Sequence, residues 1–449
     1  MLKTSKKNKE INIAFEISPL LLASGSFGDK SGVYRYYYGL IKALGAYVKK
    51  NKKNTKLVLF SFNKDLLNSP VNKDIIDLLN NPIFTFIKNV PVAQKHSSFL
   101  GLKIVESFLR PFLKIINKLL PIKKFYLYIF TELRFQEYIS FLRKQLIKHK
   151  VIVIYHSETS FYPLRNFKNV ITIYDLTPIL MYQYHRLETV DLTQRKLYFA
   201  QKYCQGIVCI SESTKNDLLK LYPAFNSKKI NICYPGIDPV FLSKHRSVFE
   251  DLQLIAGQQV NNLRKKRYLF FYSTFEPRKN VINLVQAFFD LHHEKLIPQE
   301  FKLVLMGGEG WGKAKKRVLN FVKENFPIKN KNKIVILDYL NDKYLIDLIK
   351  NSYAVIYPSL YEGFGLPVLE SMFLGAPVIC SNSSSLPEVG KNAVVYIDPN
   401  DYYDLKSKIA YLVKRPKIAS KLRRLGLAQG KKFNWNTSVS KLYNYFIDL

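Results

Sequence analysis

The sequence predicts an α/β protein made of two Rossmann-like, doubly wound parallel domains that face each other across a cleft. Three observations carry that expectation. The chain has 449 residues, which suits two domains of about 200 residues better than one ordinary core. Apolar residues make up 47% of it, enough to bury both cores. Short β-branched or aromatic runs alternate with longer amphipathic stretches, and the alternation is played through twice.

The first series of runs falls at residues 11–15, 57–62, 151–155, 170–174, 207–210 and 230–233. After Tyr234-Pro-Gly-Ile-Asp238 a polar stretch, residues 252–266, reads as an interdomain connection. The series then restarts at 268–272, 303–306, 335–337, 354–357, 378–380 and 393–397. The expected boundaries are therefore 1–250 for the first domain and 251–430 for the second, with a C-terminal helix at 431–449 packing back towards the first. In such folds ligands bind at the carboxyl ends of the strands, where loops lead into helices.

Bulk properties exclude some classes. No apolar run reaches the roughly 18–20 residues that span a bilayer. The basic leader at residues 1–10 and the apolar run 11–15 faintly imitate a signal peptide, but Glu16 and Pro19 interrupt the run, and a first β-strand is the better reading. Cys204, Cys209, Cys233 and Cys380 show no metal-ligand spacing and read as small core residues in a reducing, cytoplasmic compartment.

The charge is unusual, 69 basic against 34 acidic residues, or +35. It favours polyanions, either nucleic acid or anionic lipid, and a Lys- and Asn-rich compositional bias accounts for it equally well. The lysines are spread along the chain, which argues against a dedicated nucleic-acid arm. Residues 99–150 stand apart, with eleven Lys or Arg against three acidic residues. There Phe108, Phe112, Ile115, Ile116 and Leu119 follow helical spacing beside Arg110, Lys114 and Lys118. One reading is a basic amphipathic surface on anionic lipid, peripheral at the inner face of the plasma membrane. The other is a pair of ordinary helices packed on the first sheet.

The chemistry concentrates after the run 354–357, in Pro358-Ser-Leu-Tyr-Glu362-Gly363-Phe364-Gly365-Leu366-Pro367. Two glycines within three residues let a ligand approach the main chain. Pro367 suits the first turn of a helix continuing through Glu370. Free N–H groups opening a helix make an anion site. Glu362 and Glu370 are eight residues apart, so one carboxylate can serve a sugar and diphosphate while the other accepts both hydroxyls of a ribose. Alone, the loop says little, and Glu370 could be a first-turn charge. The run 268–272 ends in Ser273-Thr-Phe-Glu-Pro277-Arg278-Lys279-Asn280, whose adjacent cations suit a diphosphate. The glycine turn Gly307-Gly308-Glu-Gly310-Trp311-Gly312 follows the next strand.

In this order the elements resemble the GT-B retaining glycosyltransferases of family 4, the mannosyltransferase-like group 1 enzymes, over nearly the whole chain. The first half contributes Lys30-Ser-Gly32-Val-Tyr-Arg35-Tyr36, Ile173-Tyr-Asp175-Leu-Thr-Pro178, Ile210-Ser211-Glu-Ser-Thr214 and Tyr234-Pro-Gly-Ile-Asp238. The second contributes Glu276-Pro-Arg-Lys-Asn280, the Glu362–Glu370 segment and Ser385-Leu-Pro-Glu388-Val389.

The resemblance implies a nucleotide-sugar donor, bound by Gly32, Arg278, Lys279, Tyr339, Leu340, Glu362, Gly363, Phe364, Gly365, Leu366 and Glu370. Within that set Glu370 takes the ribose hydroxyls, Arg278 and Lys279 stabilise the leaving diphosphate, and Tyr339 or Leu340 lies by the base. Glu362, Arg278, Lys279 and Asp175 are the implied catalytic residues, with no metal and no other cofactor. The first domain becomes the acceptor side and the second the donor side. The reaction implied is transfer of a hexose, mannose from GDP-mannose, to a glycan or lipid-linked glycan during surface polysaccharide assembly, with retention. Three departures stand out: Tyr174 where similar enzymes often carry His, Tyr34 where Gly is common, and Ser273 where Gly often precedes the cation pair. Tyr174 keeps open a catalytically silent relative that binds nucleotide or glycan. The charge keeps open a nucleic-acid-binding protein, although no reading module is present.

Overall fold

Strands form where the sequence places its short apolar runs: β1 (Asn12–Glu16), β2 (Leu57–Phe60), β3 (Phe84–Phe86), β4 (Val151–His156), β5 (Lys168–Ile173), β6 (Gly206–Cys209), β7 (Ile230–Ile232), β8 (Tyr268–Tyr272), β9 (Lys302–Met306), β10 (Ile334–Leu337), β11 (Ala354–Tyr357), β12 (Val378–Ser381) and β13 (Val395–Ile397). The structure, a computed structural model, describes residues 11–23, 32–68, 71–88, 122–242, 249, 263, 265–325 and 333–449. Outside them lie residues 24–31 of the loop after β1, most of the polar stretch 252–266, and Phe108, Arg110, Phe112, Lys114, Ile115, Ile116, Lys118 and Leu119 of the basic segment.

The strands make two parallel sheets, ordered β3-β2-β1-β4-β5-β6-β7 and β10-β9-β8-β11-β12-β13. Each sheet starts at its centre and reverses direction once, β1 against β4 in the first and β8 against β11 in the second. That reversal is the doubly wound signature, and it opens a crevice at the carboxyl ends of the two central strands. Strands covered on both faces are apolar throughout; β8 (Tyr-Leu-Phe-Phe-Tyr) and β11 (Ala-Val-Ile-Tyr) are buried at every position.

The chain packs as two compact units, Met1–Asp29 with Val48–Val170, and Lys30–Tyr47 with Ile171–Leu449. Helices that matter below are α1 (Gly32–Lys50), α2 (Ile122–Lys148), α3 (Glu212–Leu221), α4 (Val281–His293), α5 (Leu366–Phe373), α6 (Leu386–Gly390) and α7 (Trp435–Asp448). In α4 the buried residues Val281, Leu284, Val285, Phe288, Leu291 and His292 recur at the three- and four-residue steps of one helical face. The terminal helix α7 is capped by Asn434, whose side chain accepts from Thr437 N. Its Tyr445 hydroxyl donates to Lys229 O at 2.6 Å and accepts from Ile207 N at 3.0 Å. Among the described residues no helix is long and apolar enough to cross a membrane, and all four cysteines are buried free thiols.

In the first unit a polar cluster is sealed at the reversal of the sheet. Glu16, at the end of β1, is fully buried. Its Oε1 accepts from Phe62 N at 3.1 Å, from Ser18 N at 3.2 Å and from the Ser18 hydroxyl. Tyr138 of α2 donates to Ser61 O at 2.8 Å, and His156, at the end of β4, donates from Nε2 to Asn169 Oδ1 at 2.8 Å. Burial raises the Glu16 carboxyl to about 7 against the donors' opposite pull, and burial lowers His156 to about 4.

A carboxyl raised on folding stabilises the protein fully below its unfolded pKa of about 4.5, and that contribution is lost as pH rises through about 7. Glu16→Gln removes this dependence while leaving that of His156 in place. Thermal unfolding of the two proteins is expected to show the variant gaining about 2–3 kcal/mol on the wild type between roughly pH 5 and 8. A difference independent of pH would mean that Glu16 does not titrate in this range.

Candidate functional site

Two strand ends at the reversal of the second sheet carry the charged groups. After β8 the chain enters one 3-10 turn, Pro277–Lys279, closed by Asn280 at φ 58°. The turn aims Arg278 and Lys279 at the loop after β11. There Glu362, 7% exposed, receives Lys279 Nζ at 2.6 Å on Oε1 and Arg278 Nη1 at 3.1 Å on Oε2. Ser359 Oγ donates to Oε1 at 2.6 Å, and Lys279 also donates to the Tyr357 hydroxyl at 2.9 Å. Arg278 Nε lies 2.7 Å from Glu276 Oε2. The main chain of Glu362 is fixed as well, its N–H donating to Ser384 Oγ at 2.8 Å and its carbonyl accepting from Ser385 Oγ at 2.9 Å.

Burial by itself would raise the Glu362 carboxyl, but Lys279 and Arg278 more than reverse this and hold it at about 2. Burial, then the neighbouring Arg278 charge, pushes Lys279 down, and Glu362 opposes both. Both cations are therefore held in place by carboxylates before any ligand arrives.

The next four residues explain the two glycines. A Cβ on Gly363 would sit 2.5 Å from Tyr174 O and 2.9 Å from Asp175 Cβ. Ser211 Oγ fastens this contact by donating to Gly363 O at 2.7 Å, and Thr214 Oγ1 of α3 donates to Tyr174 O at 3.1 Å. Asp175 accepts from Thr177 N at 3.0 Å and from its hydroxyl at 2.6 Å, close enough to Arg278 for the charges to act on each other. Phe364 is buried against Tyr234 and Phe433. Gly365 takes φ 99° as the N-cap of α5, whose start carries no side-chain cap. Leu366 lies against Gly32, where a Cβ would be 3.7 Å from Leu366 Cδ1. An uncapped helix start with its macrodipole is favourable for an anion.

Glu370, one turn further along α5, is 1% exposed. Its Oε1 meets Arg35 Nη2 of α1 at 2.8 Å and its Oε2 accepts from the Tyr272 hydroxyl at 3.1 Å. Burial raises its carboxyl, and Arg35 and Tyr272 oppose that. A narrow cleft opens here, lined by Arg35, Asp238, Leu366, Leu369, Glu370 and Trp435 among others. Tyr339 and Leu340 follow β10. Tyr339 is exposed, donates to Asp342 Oδ1 at 3.0 Å, and lies near enough to Arg35 and Glu370 to feel both charges. Leu340 is half-buried. Among the described residues no group of three His, Cys, Asp or Glu side chains gathers as a metal site.

Residues 107–241 match the family described as "Glycosyltransferase Family 4", and 256–428 match "Glycosyl transferases group 1". Over 300 residues the chain is 30% identical to "O-antigen chain mannosyltransferase B" of Escherichia coli, spanning 65% of this chain and 74% of that one. The chain belongs to the GT-B glycosyltransferases. Its fold is shared with a glycosyltransferase from Rickettsia africae ESF-5, at a TM-score of 0.61, 16% identity and 98% of each chain. It is shared too with Anabaena Alr3699/HepE in complex with UDP and glucose, at 0.62 and 14%, over 98% of this chain and 100% of that one.

In this glycosyltransferase the charged pair Arg278–Lys279, Glu362 and Asp175 come together, as do Gly32 and the start of α5. Glu370 belongs to a second cluster with Arg35 and Tyr272. Tyr174 is 7% exposed and meets Tyr36 edge-on at 5.4 Å, so the position where similar enzymes carry His is an aromatic packing contact here. Sequence reading missed Tyr272, Glu276, Tyr357, Ser359 and Ser384, and it quoted Arg35 without a role. The alternating charges of Glu276-Pro-Arg-Lys were a local signal for Glu276. No local signal tied Arg35 to Glu370, because their pairing is tertiary.

Gly363→Ala forces a Cβ against the Tyr174 carbonyl, and overpacking of this kind costs about 1–3 kcal/mol. Thermal denaturation should show the loss, and an unchanged Tm would mean that this contact yields freely. Lys279→Met leaves the buried Glu362 charge half-compensated and is expected to cost about 3–5 kcal/mol by denaturant unfolding. Adding Glu362→Gln should restore part of that, because the stranded charge is removed; no recovery would contradict the coupling.

Proposed function

We propose that this enzyme transfers a hexose, mannose from GDP-mannose, to a hydroxyl of a glycan or lipid-linked glycan in surface polysaccharide assembly. The observation that carries the donor reading is the placement of Arg278 and Lys279, braced by Glu362 and Glu276, beside the uncapped start of α5. A nucleoside diphosphate with its phosphates at that helix start and its ribose at Glu370 uses both clusters at once. The mannose and surface-glycan parts are supported by the resemblance to the Escherichia coli O-antigen enzyme.

In the reaction, the bond between the anomeric carbon and the diphosphate oxygen breaks and a bond to the acceptor oxygen forms. Negative charge grows on the leaving diphosphate, where Arg278, Lys279 and the N–H groups at the start of α5 oppose it without rearranging. These groups serve in place of a metal ion. The new bond forms on the face that the diphosphate leaves, so configuration is retained, and the acceptor proton passes to the departing phosphate oxygen. Gly363, Phe364, Gly365 and Leu366 line the sugar and diphosphate, and Asp175 stands beside them on the loop after β5. Tyr339 and Leu340 border the base. The charge of +35 supports peripheral attachment to anionic lipid at the inner face of the plasma membrane.

Thermal shift with GDP-mannose, UDP-glucose and ADP-glucose should reveal one stabilising donor, and a transfer assay with that donor should run undiminished in EDTA. Glu370→Ala is expected to weaken donor binding about 10–100-fold, through two lost hydrogen bonds to a charged acceptor. Full affinity and turnover in that variant, or the absence of a shift with any donor, would sink the assignment.

A further inference from the structure

Both oxygens of Glu370 are already engaged, Oε2 by the Tyr272 hydroxyl and Oε1 by the guanidinium of Arg35 at 2.8 Å. A carboxylate that is 1% exposed is costly to keep ionised without a counter-ion, and Arg35 supplies one. The guanidinium stands in front of Glu370, and its charge also reaches Asp342 and Tyr339, the residues after β10 beside which a base would lie. Arg35 and Tyr272 thus hold the two oxygens that a ribose bound to Glu370 would need.

The same side chain has a second partner within reach. Its Nε is 3.7 Å from Asp238 Oδ2, on the loop after β7, where the carboxylate is 32% exposed. Oδ1 of Asp238 is tied to Val240 N at 3.0 Å, which leaves Oδ2 turned to Arg35. The guanidinium also lies 5.2 Å from the centre of the Phe241 ring, a surface along which a planar cation can slide.

We propose that Arg35 gates the nucleoside seat, closing on Glu370 when the seat is empty and passing to Asp238 when a nucleoside diphosphate enters. The gate rests on the reading that Glu370 receives the donor's ribose. It makes the ribose diol a key: a ligand that offers phosphates without paired hydroxyls has nothing to exchange for the ion pair. It also lowers apparent affinity by the fraction of molecules in which the seat is closed.

Calorimetric titration of the full chain with GDP, UDP and ADP tests this on a four-protein cycle of wild type, Arg35→Gln, Asp238→Asn and the double variant. Arg35→Gln should bind the preferred nucleotide about ten-fold more tightly, since nothing must be displaced. Asp238→Asn should bind several-fold more weakly, by the loss of the open position. Its effect should vanish in the Arg35→Gln background. Weaker binding by Arg35→Gln would show that Arg35 holds the ligand and would overturn the gate. So would an Asp238→Asn effect of equal size in both backgrounds. Asp238→Asn alone keeps the test decisive if Arg35→Gln does not fold, because unchanged affinity there also refutes the exchange. If the wild type binds none of the three nucleotides, the donor reading falls and takes the gate with it. If it binds one, and Glu370→Ala loses it while Arg35→Gln gains nothing, the gate alone falls.

Discussion

A buried carboxylate between two cations is the interaction on which the second unit's site depends. Lys279 and Arg278 keep Glu362 ionised where it is buried, and Glu362 in turn offsets the cost of burying Lys279. The three residues come from the ends of β8 and β11, the two central strands of the six-stranded sheet. Because the strands are adjacent and parallel, their ends are fixed relative to one another by the sheet's own register. Ser359 then donates to the carboxylate, the Tyr357 hydroxyl accepts from Lys279, and Ser384 and Ser385 hold the main chain of Glu362. The result is a charged group prepared before substrate arrives, which is the condition under which electrostatic stabilisation costs no reorganisation during reaction.

The second cluster follows a different logic. Glu362 meets its cations at the ends of two central strands, whereas Glu370 of α5 meets Arg35 of α1 from one helix to another. Strand ends in a sheet are rigid neighbours; helices have more freedom to slide. The charges proposed to meet the diphosphate therefore sit at strand ends. The contact proposed to open and close sits between helices.

Much of this was legible in the residues. The doubly wound order, the strand ends and the start of α5 followed from short apolar runs, two glycines and Pro367, each a local signal with a local cause. The match of the runs to β8 and β11 was complete. The run 393–397 shortened to β13, because Ala393 and Val394 turn before pairing begins. The three-residue strand β3 offered too few residues for a pattern. What sequence could not show was pairing at a distance. Arg35 and Glu370, or Ser211 and Gly363, are joined only by the folded chain, and no spacing rule connects them. Gly363 illustrates the boundary between the two kinds of information: its flexibility was readable, while the Tyr174 carbonyl that demands it was not.

The terminal helix has a consequence for how the protein is made. Tyr445 of α7 bonds the backbone of Ile207 and Lys229, and Trp435 fills the space beside Gly39 and Gly236, where a Cβ would clash with it. Synthesis runs from the other end, so α1, β6 and β7 emerge from the ribosome long before the segment that covers them. Until then their apolar surface is open to chaperones and to neighbouring chains. A product that lacks α7 would therefore keep that surface open, with the Glu362 cluster already encoded and nothing to finish the unit that carries it.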